Sequence, residues 1–340
     1  MGEREASFDE MREVLAAMPG PDETAREKAV ARERGLTKPS GALGQLEQLA
    51  EWLAAWQGRH PPRLEHPRVA VFVANHGVAA RGVSAYPAAV TAQMVKNFQA
   101  GGAAINQLCA LQDADLRVYE MALEHPTRDF TEAPAMDEAE CARAMAYGMM
   151  AVEDGIDAIC LGEMGIGNTT SAAALCYGLF GGEVTDWVGR GTGVAGAALD
   201  RKIETVAAGV ARNDDARSDP FEILRCLGGH ELAAVAGAIL AARIARVPVL
   251  LDGYACTAAA AVLQRADPCA LEHCVVGHLS AESGHARLLE AIGKRPVLDL
   301  GMRLGEGTGA AVALGVLRAA VACHTGMATF AQARVDGPSG

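Results

Sequence analysis

Short apolar runs alternate with helix-period segments along most of this chain, the arrangement that βαβ units and a parallel sheet require. Six runs read as strands, over residues 69–74, 116–122, 158–161, 247–251, 274–276 and 297–300. Several are rich in Val or Ile with little polar alternation, as strands buried on both faces are. Helices are expected between them over 88–99, 137–152, 170–179, 199–211, 230–242 and 257–265. Many of these are rich in Ala, whose small side chain lets a helix lie close to a sheet.

Residues 1–60 read differently, as helices over 8–18, 21–35 and 40–58. In the third, Leu43, Leu46, Leu49 and Leu53 fall at helical spacing, with Ser40 available as N-cap and Gly58 as a stop. His60-Pro61-Pro62-Arg63 then reads as a linker. The pattern predicts an α/β protein with a six-stranded parallel sheet flanked by helices.

Composition narrows the partners. At 340 residues the chain exceeds the usual size of a single core, so a large domain with a smaller satellite is expected. A net charge of −12 argues against nucleic acid as the main partner, so any anionic ligand must be held by local groups. Met1 to Glu5 are charged and lack the apolar stretch of a signal peptide, and no apolar run reaches the roughly 20 residues of a membrane span. A cytoplasmic location without membrane attachment is therefore expected. The nine Cys residues include no Cys-x-x-Cys pair and fit buried reduced thiols.

Candidate chemistry lies in the glycine-rich loops. Glu306, in Leu304-Gly305-Glu306-Gly307-Thr308-Gly309, is an isolated carboxylate where a strand gives way to a helix, the place where parallel α/β folds keep their ligands. The alternative reading is a helix N-terminal Glu stabilised by the macrodipole. Gly162-Glu163-Met164-Gly165-Ile166-Gly167-Asn168-Thr169-Thr170 runs strand, glycine loop, helix start, a natural phosphate or carboxylate site. It is neither a Walker A motif nor a dinucleotide fingerprint. A formal Gly-x-Gly-x-x-Gly occurs at Gly191 to Gly196, but the preceding 182–187 is too polar for a buried strand. A phosphate contact there, with Lys202 adding a point charge, is the favoured reading.

Two further clusters point elsewhere. Cys269, His273, Cys274 and His278 look like metal ligands, yet their spacing fits no zinc pattern, so no metal site is assigned. His76 follows a strand and could be catalytic; the favoured reading is a loop histidine bonding backbone groups.

Taken together, the two long glycine motifs, Asn75-His76-Gly77-Val78, Ser84-Ala85-Tyr86-Pro87 and Leu251-Asp252-Gly253 closely resemble the nicotinate-nucleotide:dimethylbenzimidazole phosphoribosyltransferases. The resemblance runs from Thr37 to Gly326. It implies transfer of the ribose phosphate of nicotinate mononucleotide to 5,6-dimethylbenzimidazole or a related base, in building the lower loop of cobalamin. It implies Glu306 as proton acceptor, and Glu163 either bonding a ribose hydroxyl or stabilising cationic character at C1′. It places phosphate contacts at Gly165, Gly191, Lys202 and Ser280, with Asn168 and Thr169 in the same nucleotide loop. The base pocket falls at Tyr86, Met94 and Leu304. No cofactor is implied.

The resemblance also implies a homodimer and a Rossmann-like sheet. A small helical domain is expected from 1–60 with 310–340, and a large nucleotide- and base-binding domain from 61–309. Asn75 stands where many members have Asp. A nicotinamide-dependent oxidoreductase using Gly191 to Gly196, or a nicotinate mononucleotide sensor without catalysis, are the rival readings.

Overall fold

A computed structural model describes residues 6–337, so the charged Met1 to Glu5 lie outside the described residues. Three helices open the chain: α1 (Phe8–Ala16), α2 (Glu23–Gly35) and α3 (Gln45–Gln57). Asp22 caps α2 by accepting from the Ala25 N–H at 2.8 Å. Gly58, with φ 61°, ends α3 as expected, but its start differs. Residues 40–44 form turns and the helix begins after Gly44 at φ 56°, so Ser40 is not its N-cap. A left-handed residue at 44 breaks the helical backbone that would have joined Ser40 to Gln45.

The sheet then builds in chain order. Strand β1 (Pro67–Val73) is followed by α4 (Ala89–Gln99), α5 (Ala104–Gln112) and β2 (Asp115–Glu120). Next come α6 (Glu138–Met149), β3 (Ala158–Met164), α7 (Asn168–Phe180), α8 (Ala197–Arg212), α9 (Pro220–Leu227) and α10 (His230–Ile244). The chain closes with β4 (Val249–Leu251), α11 (Tyr254–Ala266), β5 (Cys274–His278), α12 (Gly284–Ala291), β6 (Pro296–Leu298), α13 (Thr308–Gly326) and α14 (Phe330–Ala333). All six expected strands are present, and every pairing is parallel in the order β2-β1-β3-β4-β5-β6. The expected α/β class and flanking helices are therefore observed.

Alternation along each strand divides the core into two layers. Ala70, Phe72, Ile159, Leu161, Val249, Leu251, Cys274 and Val276 face the layer containing α1, α6, α7, α9, α10 and α11. Val69, Val71, Val73, Ala158, Cys160 and Leu250 face α3, α4, α5 and α13. Helices α6 and α10 pack backbone to backbone: a Cβ at Gly237 would sit 1.9 Å from the Met145 carbonyl oxygen. Edge strand β2 carries Asp115, Arg117 and Glu120, charges that discourage pairing with another chain.

The chain ends meet on one side. Leu36 bridges Thr329, Lys38 pairs with Glu33 at 3.0 Å and Glu47 at 2.7 Å, and His324 Nδ1 lies 2.6 Å from Glu33 Oε1. The first half of α13 instead lies on β3, β4, β5 and β6, while α1 packs through Phe8 on Phe221 of α9. Helix α13 is long and apolar enough in composition to cross a membrane, and its inner face is spent on this sheet.

The order of strands reverses between β1 and β3, because the chain proceeds from β1 to β2 on one side and to β3 on the other. Loops leaving the strand ends diverge at such a switch point and leave a crevice.

Candidate active site

The crevice is a cavity of about 530 Å³ whose wall comes from the ends of β3, β4 and β5, the β6–α13 loop and the segment after β1. Of the expected site residues, Tyr86, Met94, Glu163, Gly165, Asn168, Thr169, Gly191, Ser280, Leu304 and Glu306 all line it. Lys202 stands behind that wall. Its Nζ donates to Thr169 Oγ1 at 2.9 Å and to the Gly189 carbonyl at 3.1 Å, and it would lie 2.9 Å from a Cβ on Gly191. Burial brings its pKa down to about 8, against the opposing charge of Glu282.

Glu306 sits where three consecutive residues have positive φ: Gly305 at 83°, Glu306 at 64° and Gly307 at 79°. This tight turn brings the loop onto the end of β3, where the Glu306 N–H donates to the Glu163 carbonyl at 3.1 Å. A Cβ at Gly162 would meet the Gly307 nitrogen at 2.3 Å, so only glycine permits that approach. Glu306 is 6% exposed. Burial, and then the charge of Asp252, push its carboxyl up to about 7. A carboxylate tuned to neutrality suits proton transfer at neutral pH.

Asp252 follows β4 and is fully buried. Its carboxylate accepts from the N–H groups of Gly307 at 3.0 Å, Gly309 at 2.7 Å and Ala310 at 3.0 Å, satisfying the first turn of α13. His278 Nε2 lies 3.6 Å from it. Burial raises the Asp252 pKa, while His278 and the three N–H groups act the other way.

Glu163, at the end of β3, is 8% exposed and accepts from Asn168 Nδ2. Burial drives its pKa well up, reinforced by the charges of Asp252, Glu231 and Glu306 and opposed by the Asn168 bond. Glu163 and Glu306 thus line one end of the cavity with Asp252 buried behind them, and in their ionised forms they favour a cation or positive charge developing on a ligand. Helix α7 supplies the opposite polarity, opening after Gly167 with Asn168 and Thr169 in its first turn. The Ile166 N–H donates to Thr91 Oγ1 at 3.2 Å, which ties the loop before α7 to α4.

Ser280 closes the wall after β5. Its N–H donates to His285 Nδ1 at 2.8 Å, and His285 Nε2 meets Thr257 Oγ1 at 3.1 Å, a satisfied network in which burial brings the imidazole down to about 3. Across the opening, Thr192 Oγ1 accepts from the Ala85 N–H at 2.9 Å and Arg303 Nη1 donates to the Gly191 carbonyl at 2.8 Å. These bonds join three loops around the mouth. Tyr86 at 55% and Leu304 at 57% exposure form its apolar rim.

One sequence expectation changes in detail, and the Cys269 to His278 segment acquires its surroundings. His76 bonds side chains and not backbone: its Nδ1 lies 3.0 Å from Ser171 Oγ and its Nε2 2.6 Å from Glu231 Oε1. Those partners stand 95 and 155 residues away in sequence, so no local signal announces them. The Cys269 to His278 cluster is dispersed, with Cys269 exposed, His273 bonded to the Ile239 carbonyl at 2.9 Å and His278 at the cavity. Among the described residues no group of three His, Cys, Asp or Glu could hold a metal ion. Asn75 donates to the Leu123 carbonyl at 2.9 Å and does not line the cavity.

Sequence reasoning gave Asp252 no role and weighed His278 only as a metal ligand. Asp252 had a usable signal, since it is a carboxylate directly after the apolar run Val249 to Leu251 and before Gly253.

Comparison with known proteins agrees with this geometry. A family model described as a phosphoribosyltransferase matches residues 18–335. The nicotinate-nucleotide–dimethylbenzimidazole phosphoribosyltransferase of Rhizobium meliloti (strain 1021) is 58% identical over 97% of this chain and 97% of its own. The protein of the same name from Methylocella silvestris is 57% identical over 98% of each. The crystal structure of CobT from Thermus thermophilus superposes with a TM-score of 0.87 at 42% identity, covering 93% of this chain and all of that one. The chain, with its glutamate-lined crevice at the sheet's switch point, belongs to this phosphoribosyltransferase family.

Proposed function

We propose that this chain transfers the 5-phosphoribosyl group of nicotinate mononucleotide to 5,6-dimethylbenzimidazole, or a related base, giving nicotinate and α-ribazole 5′-phosphate for cobalamin. The observation that carries the reading is Glu306, a buried carboxyl raised to about 7 in the same cavity as the first turn of α7.

In the reaction one benzimidazole nitrogen forms a bond to C1′ while the bond from C1′ to the pyridinium nitrogen breaks. The electron pair of that bond leaves with nicotinate, whose ring nitrogen becomes neutral. The proton on the other benzimidazole nitrogen passes to Glu306. Attack opposite the leaving group turns a β-linked donor into an α-linked product. Glu163, beside Asn168, serves the ribose or the cationic character at C1′. Gly165, Thr169, Gly191 and Ser280 hold the phosphate, with the charge of Lys202 behind Thr169, and Tyr86, Met94 and Leu304 hold the base.

Incubation with nicotinate mononucleotide and dimethylbenzimidazole should release equal amounts of nicotinate and α-ribazole phosphate, followed by chromatography. Binding of the nucleotide without product would favour the sensor, and absence of both would reject the assignment. We further propose a cytoplasmic homodimer, which light scattering of the purified protein tests through its mass. A helical unit from 1–60 with 310–340 beside an α/β unit from 61–309 is supported by the bonds joining the two chain ends, while α1 and the first half of α13 pack on the α/β unit.

A further inference from the structure

His76 does not line the cavity, yet its side chain packs against the glycine loop that builds the nucleotide side. The imidazole is 2% exposed. A Cβ on Gly165 would lie 2.7 Å from the Ala74 carbonyl oxygen and 3.3 Å from the imidazole Cδ2 and Nε2, one on Gly167 3.3 Å from Ala79 Cβ and 3.4 Å from His76 Cβ, and one on Gly229 2.3 Å from the imidazole Cε1. Its two nitrogens reach two helix starts, Ser171 in α7 at 3.0 Å and Glu231 in α10 at 2.6 Å. Glu231 is fully buried and its second oxygen, Oε2, has no hydrogen-bond partner. The imidazole is therefore the group that offsets the burial of that carboxylate.

We propose that His76 is a positioning residue for the nucleotide subsite: it fixes the Gly165–Gly167 turn and the first turn of α7 against α10. Both are ordered by one ring. Asn168 and Thr169, in that first turn, are the groups that bond Glu163 and Lys202. A change at His76 therefore reaches the nucleotide through α7 without removing any group that touches it. Tyr86, Met94 and Leu304 come from the segment after residue 83, from α4 and from the β6–α13 loop, none of which the imidazole bonds; the one link from the turn toward them is the Ile166 N–H to Thr91 Oγ1, a turn of α4 away from Met94. This role rests on the transfer reaction proposed above, and it separates the two substrates.

The test is the KM for each substrate, with kcat, in wild type, Ser171→Ala and His76→Ala. Ser171→Ala removes one hydroxyl and should raise the KM for nicotinate mononucleotide about three- to tenfold, because a lost positioning bond weakens ground-state and transition-state binding together. His76→Ala should raise it further, and the KM for dimethylbenzimidazole should stay within about twofold in both. Unchanged nucleotide KM in Ser171→Ala, or equal changes for both substrates, overturns the proposal. If His76→Ala does not fold, Ser171→Ala decides alone. Product from wild type in the same assay upholds the transfer reaction independently, whereas its absence defeats that reading and not this one. In that event calorimetry of nucleotide binding takes over: weakened affinity in Ser171→Ala supports the role of His76, and unaltered affinity overturns it.

Discussion

At Glu306 both backbone and side chain are held away from their relaxed states. Its φ of 64° is costly for a residue with a Cβ, by about 1–2 kcal/mol, and its carboxyl titrates near 7. The base form exists above that pH, so kcat/KM should rise as pH approaches about 7. Lys202 loses its charge above about 8, so kcat/KM for the nucleotide should fall beyond it. A narrow bell between those values is expected in a pH–rate profile, and a flat profile would remove Glu306 from proton transfer. Stability runs in the opposite sense. Between the ordinary 4.5 and about 7, folded Glu306 keeps a proton that the unfolded chain has released, so the folded state loses stability as pH rises through that window. Glu306→Gln should lower kcat by about 10²–10⁴-fold while raising Tm at pH 8, a gain that disappears below pH 4.5. Residues of this kind were legible because glycines isolate them, and Asp252 was marked by its place between an apolar run and Gly253; His76 acquires its role only from partners that folding delivers.

Among the elements, α13 depends on a residue outside itself. Asp252 accepts three of the N–H groups near its start, so Asp252→Asn, which turns one acceptor atom into a donor, should destabilise the fold by about 1–3 kcal/mol in thermal or urea unfolding. The same substitution removes a negative charge that raises the Glu306 pKa, so the acid limb of the pH profile should move to lower pH. A stationary limb would mean that burial alone sets it. The strands were legible because runs buried on both faces carry little polar interruption, as in Val69 to Val73. Short helices were not: α5, α9, α12 and α14 span four to nine residues and show less than a full helical pattern. Helix α9 did carry a start signal, Asp219 accepting from Phe221 with Pro220 at the first position.

Across the whole molecule, the site draws on five strand ends spread over more than 200 residues, which no local pattern can assemble. The glycine motifs marked each loop; only the strand order β2-β1-β3-β4-β5-β6 explains why they converge. Packing around the imidazole of His76 then couples α7 to α10 beneath the nucleotide side. The bond from the Glu306 N–H to the Glu163 carbonyl has a consequence for how such an enzyme diversifies. It joins the two loops at the main chain, so the link survives a change of either side chain and the floor keeps its shape whichever residues it carries. Tyr86 and Leu304 stand on the rim, largely in solvent, where a substitution disturbs no core. If the rim holds the base, as proposed, then base preference can change there while the buried floor is kept.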